Sequence, residues 1–225
     1  KLAEEGIEEF SLDAWYLLEY VTGVSKAMYF AEPERAVSEE NADRYIDCIR
    51  QRAAHIPLQH ITGEQEFMGY PFCVNEHVLI PRQDTEILVE EAIQIMRPKM
   101  KILDMCTGSG CIVLSILKEK YYMTDLQGGG ADVSEEALKV ARENSRRLEV
   151  PVTWIQSDLF AKIPEEEKYD VIVSNPPYIE TAVIDTLQEE VRLHDPYIAL
   201  DGKEDGLYFY RRIISEAGKY LKPQG

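Results

Sequence analysis

The stretch Lys101-Ile102-Leu103-Asp104-Met105-Cys106-Thr107-Gly108-Ser109-Gly110-Cys111 decides the fold. Its first five residues read as a short buried strand, and the apolar run from Cys111 to Leu117 reads as a helix. Strand, glycine turn and helix in direct succession is the context in which a glycine-rich loop becomes a nucleotide-binding turn. Glycines let the backbone approach a ligand, and the helix N-terminus offers free N–H groups. No Gly-Lys-Ser/Thr follows, so this is not a phosphate P-loop. The dinucleotide spacing is imperfect too, because Cys106 sits where a first glycine belongs. Such a turn also serves as a plain strand–helix junction, so the reading needs support from the rest of the chain.

Downstream, a second strand is expected to end in an acidic residue about 20 positions on, placed to accept from ribose hydroxyls. Asp125 and Asp132 are the candidates. Asp132 is chosen because Ser134-Glu135-Glu136 then caps a helix carrying Ala137, Leu138, Ala141 and Leu148, with Arg146 and Arg147 near its negative pole. Gly128-Gly129-Gly130 makes a poor strand, which predicts a distorted or mobile edge there. Val152 to Gln156 is a third strand, leading into Ser157-Asp158-Leu159-Phe160. Asp158 can accept a proton from an exocyclic amine, with Leu159 or Phe160 lining an apolar slot; the competing reading is a loop aspartate capping a turn.

The fourth strand, Tyr169 to Val173, delivers Ser174-Asn175-Pro176-Pro177-Tyr178. Two prolines stop the strand and stiffen the turn at the carboxyl end of a parallel strand, where open α/β sheets place ligands. Asn175 and the Pro176 carbonyl can each accept a hydrogen bond from a planar NH2 group, and the Tyr178 ring can stack on it. The alternative is a proline-rich turn with a solvated tyrosine. Beyond it, Asp205-Gly206 opens a helix with Leu207, Tyr210, Ile213, Ile214, Ala217 and Leu221 facing inward.

Upstream, residues 1 to about 58 read as helical. Ser11 is expected to cap a helix carrying Leu12, Trp15, Leu18 and Val21, and Ser38 one carrying Ala42, Tyr45, Ile46, Ile49 and Ala53, with the segment 31–34 between them. Residues 59–80 suggest a hairpin around Gly69 and Pro71 that links this unit to a second domain at 81–225. Asp84 or Thr85 can cap a helix with Leu88, Ala92 and Ile95 inward. The fold class is therefore α/β, a Rossmann-like doubly wound sheet with a small all-helical N-terminal domain.

With 41 acidic against 24 basic residues, the formal charge is −17, and no basic cluster suited to phosphates appears. Direct nucleic-acid binding is thus disfavoured; an acidic surface attracts a basic partner, and the competing reading is that the acidity only keeps the protein soluble. The four cysteines lack the density of a disulfide scaffold, and the four histidines show no metal-ligand spacing. No membrane-spanning run or signal pattern appears, so a cytoplasmic protein with reduced thiols and no metal is expected. Lys1 in place of Met, and a C-terminal turn leading toward a further strand, read as a fragment.

Cys106 to Gly110, the acidic Asp132 and the Asn-Pro-Pro-Tyr turn occur in the order found in Rossmann-like S-adenosylmethionine-dependent methyltransferases, which the chain resembles. Pro81-Arg82-Gln83-Asp84-Thr85-Glu86 and the run from Ala199 to Leu207 narrow the resemblance to the peptide-chain release factor glutamine methyltransferases. The resemblance implies that Cys106, Thr107, Gly108, Ser109 and Gly110 hold the methionine end of S-adenosylmethionine. It implies that Asp132 holds the ribose, and that Asp158, Leu159 and Phe160 border the adenine. It also places the acceptor amide at Asn175, Pro176, Pro177 and Tyr178, with Asn175 touching the cofactor site as well. The implied substrate is the glutamine of the Gly-Gly-Gln motif of class I release factors. The chain departs from the family pattern at Cys106, in place of a glycine, and at Gln83-Asp84, in place of Pro-Glu. Two other readings stand beside this one: an amino methyltransferase of nucleic-acid bases, and a non-catalytic cofactor-binding scaffold.

Overall fold

Lys101–Met105 is a strand because both of its faces are covered. In a computed structural model describing residues 1–32 and 34–225, Ile102 packs into one core and Leu103 and Met105 into another. The chain begins with helices α1 (Phe10–Thr22), α2 (Lys26–Ala31), α3 (Glu39–Ala53) and α4 (Leu58–Thr62). A hairpin of β1 (Glu64–Phe67) and β2 (Tyr70–Cys73) follows, then α5 (Glu86–Ile95), β3 (Lys101–Met105), α6 (Cys111–Glu119), β4 (Gln127–Asp132), α7 (Glu135–Leu148) and β5 (Thr153–Gln156). Next come β6 (Val171–Ser174), the short helices α8 (Thr181–Ile184), α9 (Glu189–His194) and α10 (Tyr197–Leu200), and α11 (Tyr208–Ala217).

The main sheet is parallel with strand order β5-β4-β3-β6. The chain winds outward from β3 to β5 and then returns to lay β6 on the other side of β3. That reversal is the topological switch point, and it opens a crevice at the carboxyl ends of β3 and β6. Val89 of α5 and Met96 just after it, Ile112 and Ile116 of α6 and Leu148 of α7 cover one face. Leu159, Phe160 and Tyr220, with Phe209 and Ile213 of α11, cover the other.

The glycine strand corrects one expectation. β4 is neither an edge nor distorted: it pairs with β3 and β5, and Gly128, Gly129 and Gly130 are buried. The missing side chains are replaced by neighbours. A Cβ on Gly130 would lie 2.6 Å from Trp154 Cε3, so the indole fills that space.

The caps are mixed. Ser38 and Ser134 accept from the N–H groups of Asn41 and Ala137, as expected. Ser11 instead lies inside α1, and neither Asp84 nor Thr85 caps α5 with its side chain. The buried faces also shift. In α1, Asp13, Leu17 and Val21 are buried while Leu12 is exposed; in α3 Ile46 is exposed. Val89, Ala92 and Met96 are buried at α5 while Ile95 is exposed, and Ile214 of α11 is exposed where it was expected inward. Leu207 is likewise exposed. α1 and α3 pack on each other and on α4, α5 on α6 and β6, and α11 on residues 159–162; an apolar stripe wider than these contacts leaves its margin in solvent. Pro33, within the separator expected at 31–34, lies outside the described residues.

The hairpin turns at Met68 and Gly69, both in the left-handed region, and its Phe67 and Phe72 are buried against the main core. Asn144 of α7 ties the hairpin to the glycine turn, accepting from Cys73 N at 2.7 Å and donating to Ser109 O at 2.9 Å.

Candidate active site

A cavity of about 370 Å³ opens at the carboxyl ends of the strands. Cys106, Thr107, Gly108, Ser109, Asp132, Asp158, Leu159 and Asn175 all line it. The glycine turn takes its shape from left-handed backbone at Cys106 (φ 60°), Gly108 (φ 54°) and Gly110 (φ 80°). The first of these explains why glycine suits that position, since an L side chain there is strained. Burial pushes the Cys106 thiol up to about 12, so it stays a neutral wall group.

Two carboxylates support this turn in different ways. Asp104 is fully buried beneath it and accepts from Thr107 Oγ1 at 2.6 Å. Burial raises its carboxyl to about 7, against the lowering effect of hydrogen bonds from Thr107 and the Val113 N–H. Its Oδ1 has no partner among the described residues. Asp132 faces the cavity. Gly108 N donates to its Oδ2 at 2.9 Å and Ser134 N to its Oδ1 at 2.9 Å. Burial again raises the carboxyl, and these N–H bonds oppose it. Asp125, the rejected candidate, is exposed ahead of β4, at the opposite end of the sheet.

Asp158 accepts from Arg212 Nη1 at 2.9 Å at the cavity wall. Phe160 corrects an expectation: it does not line the cavity but stacks on Tyr220 with centroids 4.6 Å apart, inside the second core. Leu159, at φ 48°, turns toward the cavity, and the next residue is directed into the core. Gly110 also stays outside the cavity wall, at the start of α6.

A second cavity, of about 460 Å³, lies on the other side of Asn175. Asn175, Arg82 and Thr85 line both cavities and form the wall between them. Asn175 Nδ2 donates to Thr85 Oγ1 at 3.2 Å. Pro177 borders the first cavity and Tyr178, 55% exposed, the second; Pro176 is buried and borders neither. Arg82 Nη2 donates to Asp195 Oδ2 at 2.7 Å. Burial raises the Asp195 carboxyl while Arg82 lowers it. The sequence offers Thr85 only as a helix cap and gives Arg82 no role.

The turn 201–206 locks the Asn-Pro-Pro-Tyr segment from outside. Asp201 accepts from Thr181 Oγ1 at 2.6 Å and from Lys203 N at 3.0 Å, and Gly202 N donates to Ile179 O at 2.7 Å. A Cβ on Gly202 would lie 2.7 Å from the Tyr178 backbone, so only glycine allows this approach.

Residues 1–63 match the PrmC N-terminal domain and residues 83–192 the methyltransferase small domain. A release factor glutamine methyltransferase of Geobacter sulfurreducens is 39% identical over 224 residues, covering 100% of this chain and 78% of that protein. One of Clostridium acetobutylicum is 41% identical over 229 residues, covering 100% of this chain and 79% of that protein. Among solved structures, Trm5b from Pyrococcus abyssi superposes with a TM-score of 0.51 at 15% identity, over 72% of this chain and 39% of that one, a likeness of fold alone. With identity of this order along its whole length, the chain belongs to the release factor glutamine methyltransferase family.

Proposed function

We propose that the protein transfers a methyl group from S-adenosylmethionine to the side-chain amide nitrogen of the glutamine in the Gly-Gly-Gln motif of class I release factors, in the cytoplasm. The observation that carries this reading is the position of Asn175 in the wall shared by two cavities, one with the glycine turn and Asp132, the other open to solvent beside Tyr178. A donor and an acceptor can thus meet at one amide side chain.

The first cavity fits the cofactor chemically. Asp132 presents an acceptor for ribose hydroxyls, Leu159 an apolar surface, and Asp158 an acceptor for an exocyclic amine. Gly108 and Ser109 bring bare backbone to its floor. Bound there, S-adenosylmethionine supplies an already activated methyl group.

The protein's remaining task is alignment, because a carboxamide nitrogen is a poor nucleophile whose lone pair is delocalised into its carbonyl. Asn175 Oδ1 accepts one N–H of the substrate amide and favours positive charge building on that nitrogen. Thr85 already engages the Nδ2 end of the Asn175 amide, which leaves the oxygen for the substrate. Tyr178 offers a ring face to the amide plane. Pro176 borders neither cavity, so the case for its carbonyl as second acceptor rests on the chain path alone. No strong base is needed, since the proton can leave after transfer.

Incubation with radiolabelled cofactor and either purified release factor or RNA tests the reading. Label on the release-factor glutamine is the expected result. Label on RNA would mean a base-directed enzyme, and label on neither a cofactor-binding scaffold.

A further inference from the structure

The segment from Gln188 to Ala199 borders both cavities with little apolar burial of its own. Val191 lines the second cavity and Pro196, Ile198 and Ala199 the first. Yet α9 buries no residue, and Leu193, Tyr197 and Ile198 are each more than half exposed. Hydrophobic burial fixes this segment only just past its end, where Leu200 is buried, and the position of the strap ahead of it depends on polar anchors. Two of them lie within the methyltransferase region: Asp195 to Arg82, and Leu200 O accepting from Ile179 N at 3.0 Å.

The third anchor comes from the N-terminal helices. Arg52, at the end of α3, is 5% exposed. Its Nε donates to Asp13 Oδ2 of α1 at 2.6 Å, its Nη1 to Ile56 O at 3.3 Å, and its Nη2 to Glu190 Oε1 of α9 at 2.6 Å. His55 Nε2 also lies 3.7 Å from Glu189 Oε2. Val191, the cavity-lining residue of α9, is the next residue after Glu190.

We propose that Arg52 is a positioning residue for the acceptor cavity: through Glu190 it holds α9, and with it Val191, in place. This inference deepens the function proposed above and rests on it for the identity of the acceptor. It gives the N-terminal helices a part in methylating even a short glutamine peptide that never touches them. A guanidinium bound to two carboxylates holds direction as well as distance, which a single lysine ammonium would not reproduce.

Glu190→Ala is the cleanest variant. The Glu190 side chain is 34% exposed, and its loss leaves Arg52 still paired with the buried Asp13. With a short glutamine peptide as substrate, Glu190→Ala is expected to raise KM about tenfold, leave the cofactor dissociation constant within about twofold, and be partly rescued by Glu190→Gln. Arg52→Lys should raise the peptide KM similarly, and the double variant should be no worse than either single. Hydrogen exchange across residues 188–195, measured without substrate, should quicken in both single variants. That readout tests the strap directly, whereas failure of the unmodified enzyme to methylate the peptide or the intact factor would count against the function instead. Unchanged peptide kinetics and exchange in Glu190→Ala overturn the proposal, as do KM increases that simply multiply in the double variant. If Glu190→Ala does not fold, Glu190→Gln with the same two measurements decides.

Discussion

Two turns meet at the carboxyl end of the sheet, and they are held by opposite means. The turn after β3 is shaped from within: three left-handed residues between Cys106 and Gly110 bend it, and the carboxylates of Asp104 and Asp132 bond its Thr107 hydroxyl and Gly108 N–H. The turn after β6 is shaped by two prolines and then held from without, by Thr85 on Asn175 and by the backbone of 201–206 against Tyr178. The first turn makes a cradle, and its polar groups are largely engaged before any ligand arrives. The second presents one amide oxygen to a space left open. The proposed cofactor turn and the proposed acceptor turn thus differ in how much of their polarity is already satisfied.

The sharpest way to break this contrast is Asn175→Ala. Methyl transfer should fall about 100-fold or more while cofactor affinity stays nearly intact, because the amide contact is needed mainly in the transition state. Single-turnover kinetics beside titration calorimetry read the two effects separately. Cofactor affinity collapsing together with the rate would make the second turn part of the cradle.

Asp132→Ala probes the other turn. It removes the proposed ribose acceptor and two N–H bonds that shape the loop, a charge-assisted contact of about 1.5–3 kcal/mol. The cofactor dissociation constant should rise about 10- to 100-fold, while Asp125→Ala, at the far end of β4, should change it little. Calorimetry in which Asp125 proved the sensitive position would move the cofactor away from this turn.

The smallest expected effect sharpens the comparison by way of pH. Asp104 titrates near 7 in the fold because it is buried, well above the ordinary carboxylate range. A group raised on folding contributes its full stability below the unfolded value near 4 and loses it as pH rises to about 7. Asp104→Asn mimics the protonated form and should flatten that dependence. Chemical denaturation is expected to show the variant about 1–3 kcal/mol more stable than the parent at pH 8, with the gap closing toward pH 4. Parallel stability curves across that range would show that the buried carboxyl does not govern the first turn's stability.

Much of the site was legible in the chain because its rules are local. Glycine after a buried strand, two prolines after another and a serine ahead of two glutamates each act within a few residues. Phe160 was misplaced for the complementary reason: whether a residue beside a loop aspartate faces ligand or core depends on Leu159 turning left-handed and on Tyr220, sixty positions away. The glycine strand was misjudged because its stability comes from Trp154 of the neighbouring strand, which propensity along one segment does not register.

The sequence by itself determined the succession of the hairpin, the four sheet strands and the helices α5, α6, α7 and α11, the two turns, and Asp132 as the acidic residue ending β4, but not the short helices α8 to α10. Tertiary structure alone decided which strand lies between which, that Asn175 separates two cavities, and that Thr85 touches it from 90 positions away. It also decided that Asp195 reaches Arg82 across 113 positions and that Arg52 reaches Glu190 across 138. Short-range preferences are set by the dihedrals and side chains of adjacent residues. A bond between distant side chains exists only once the intervening chain has closed, and many carboxylates in so acidic a chain could have met the same arginine.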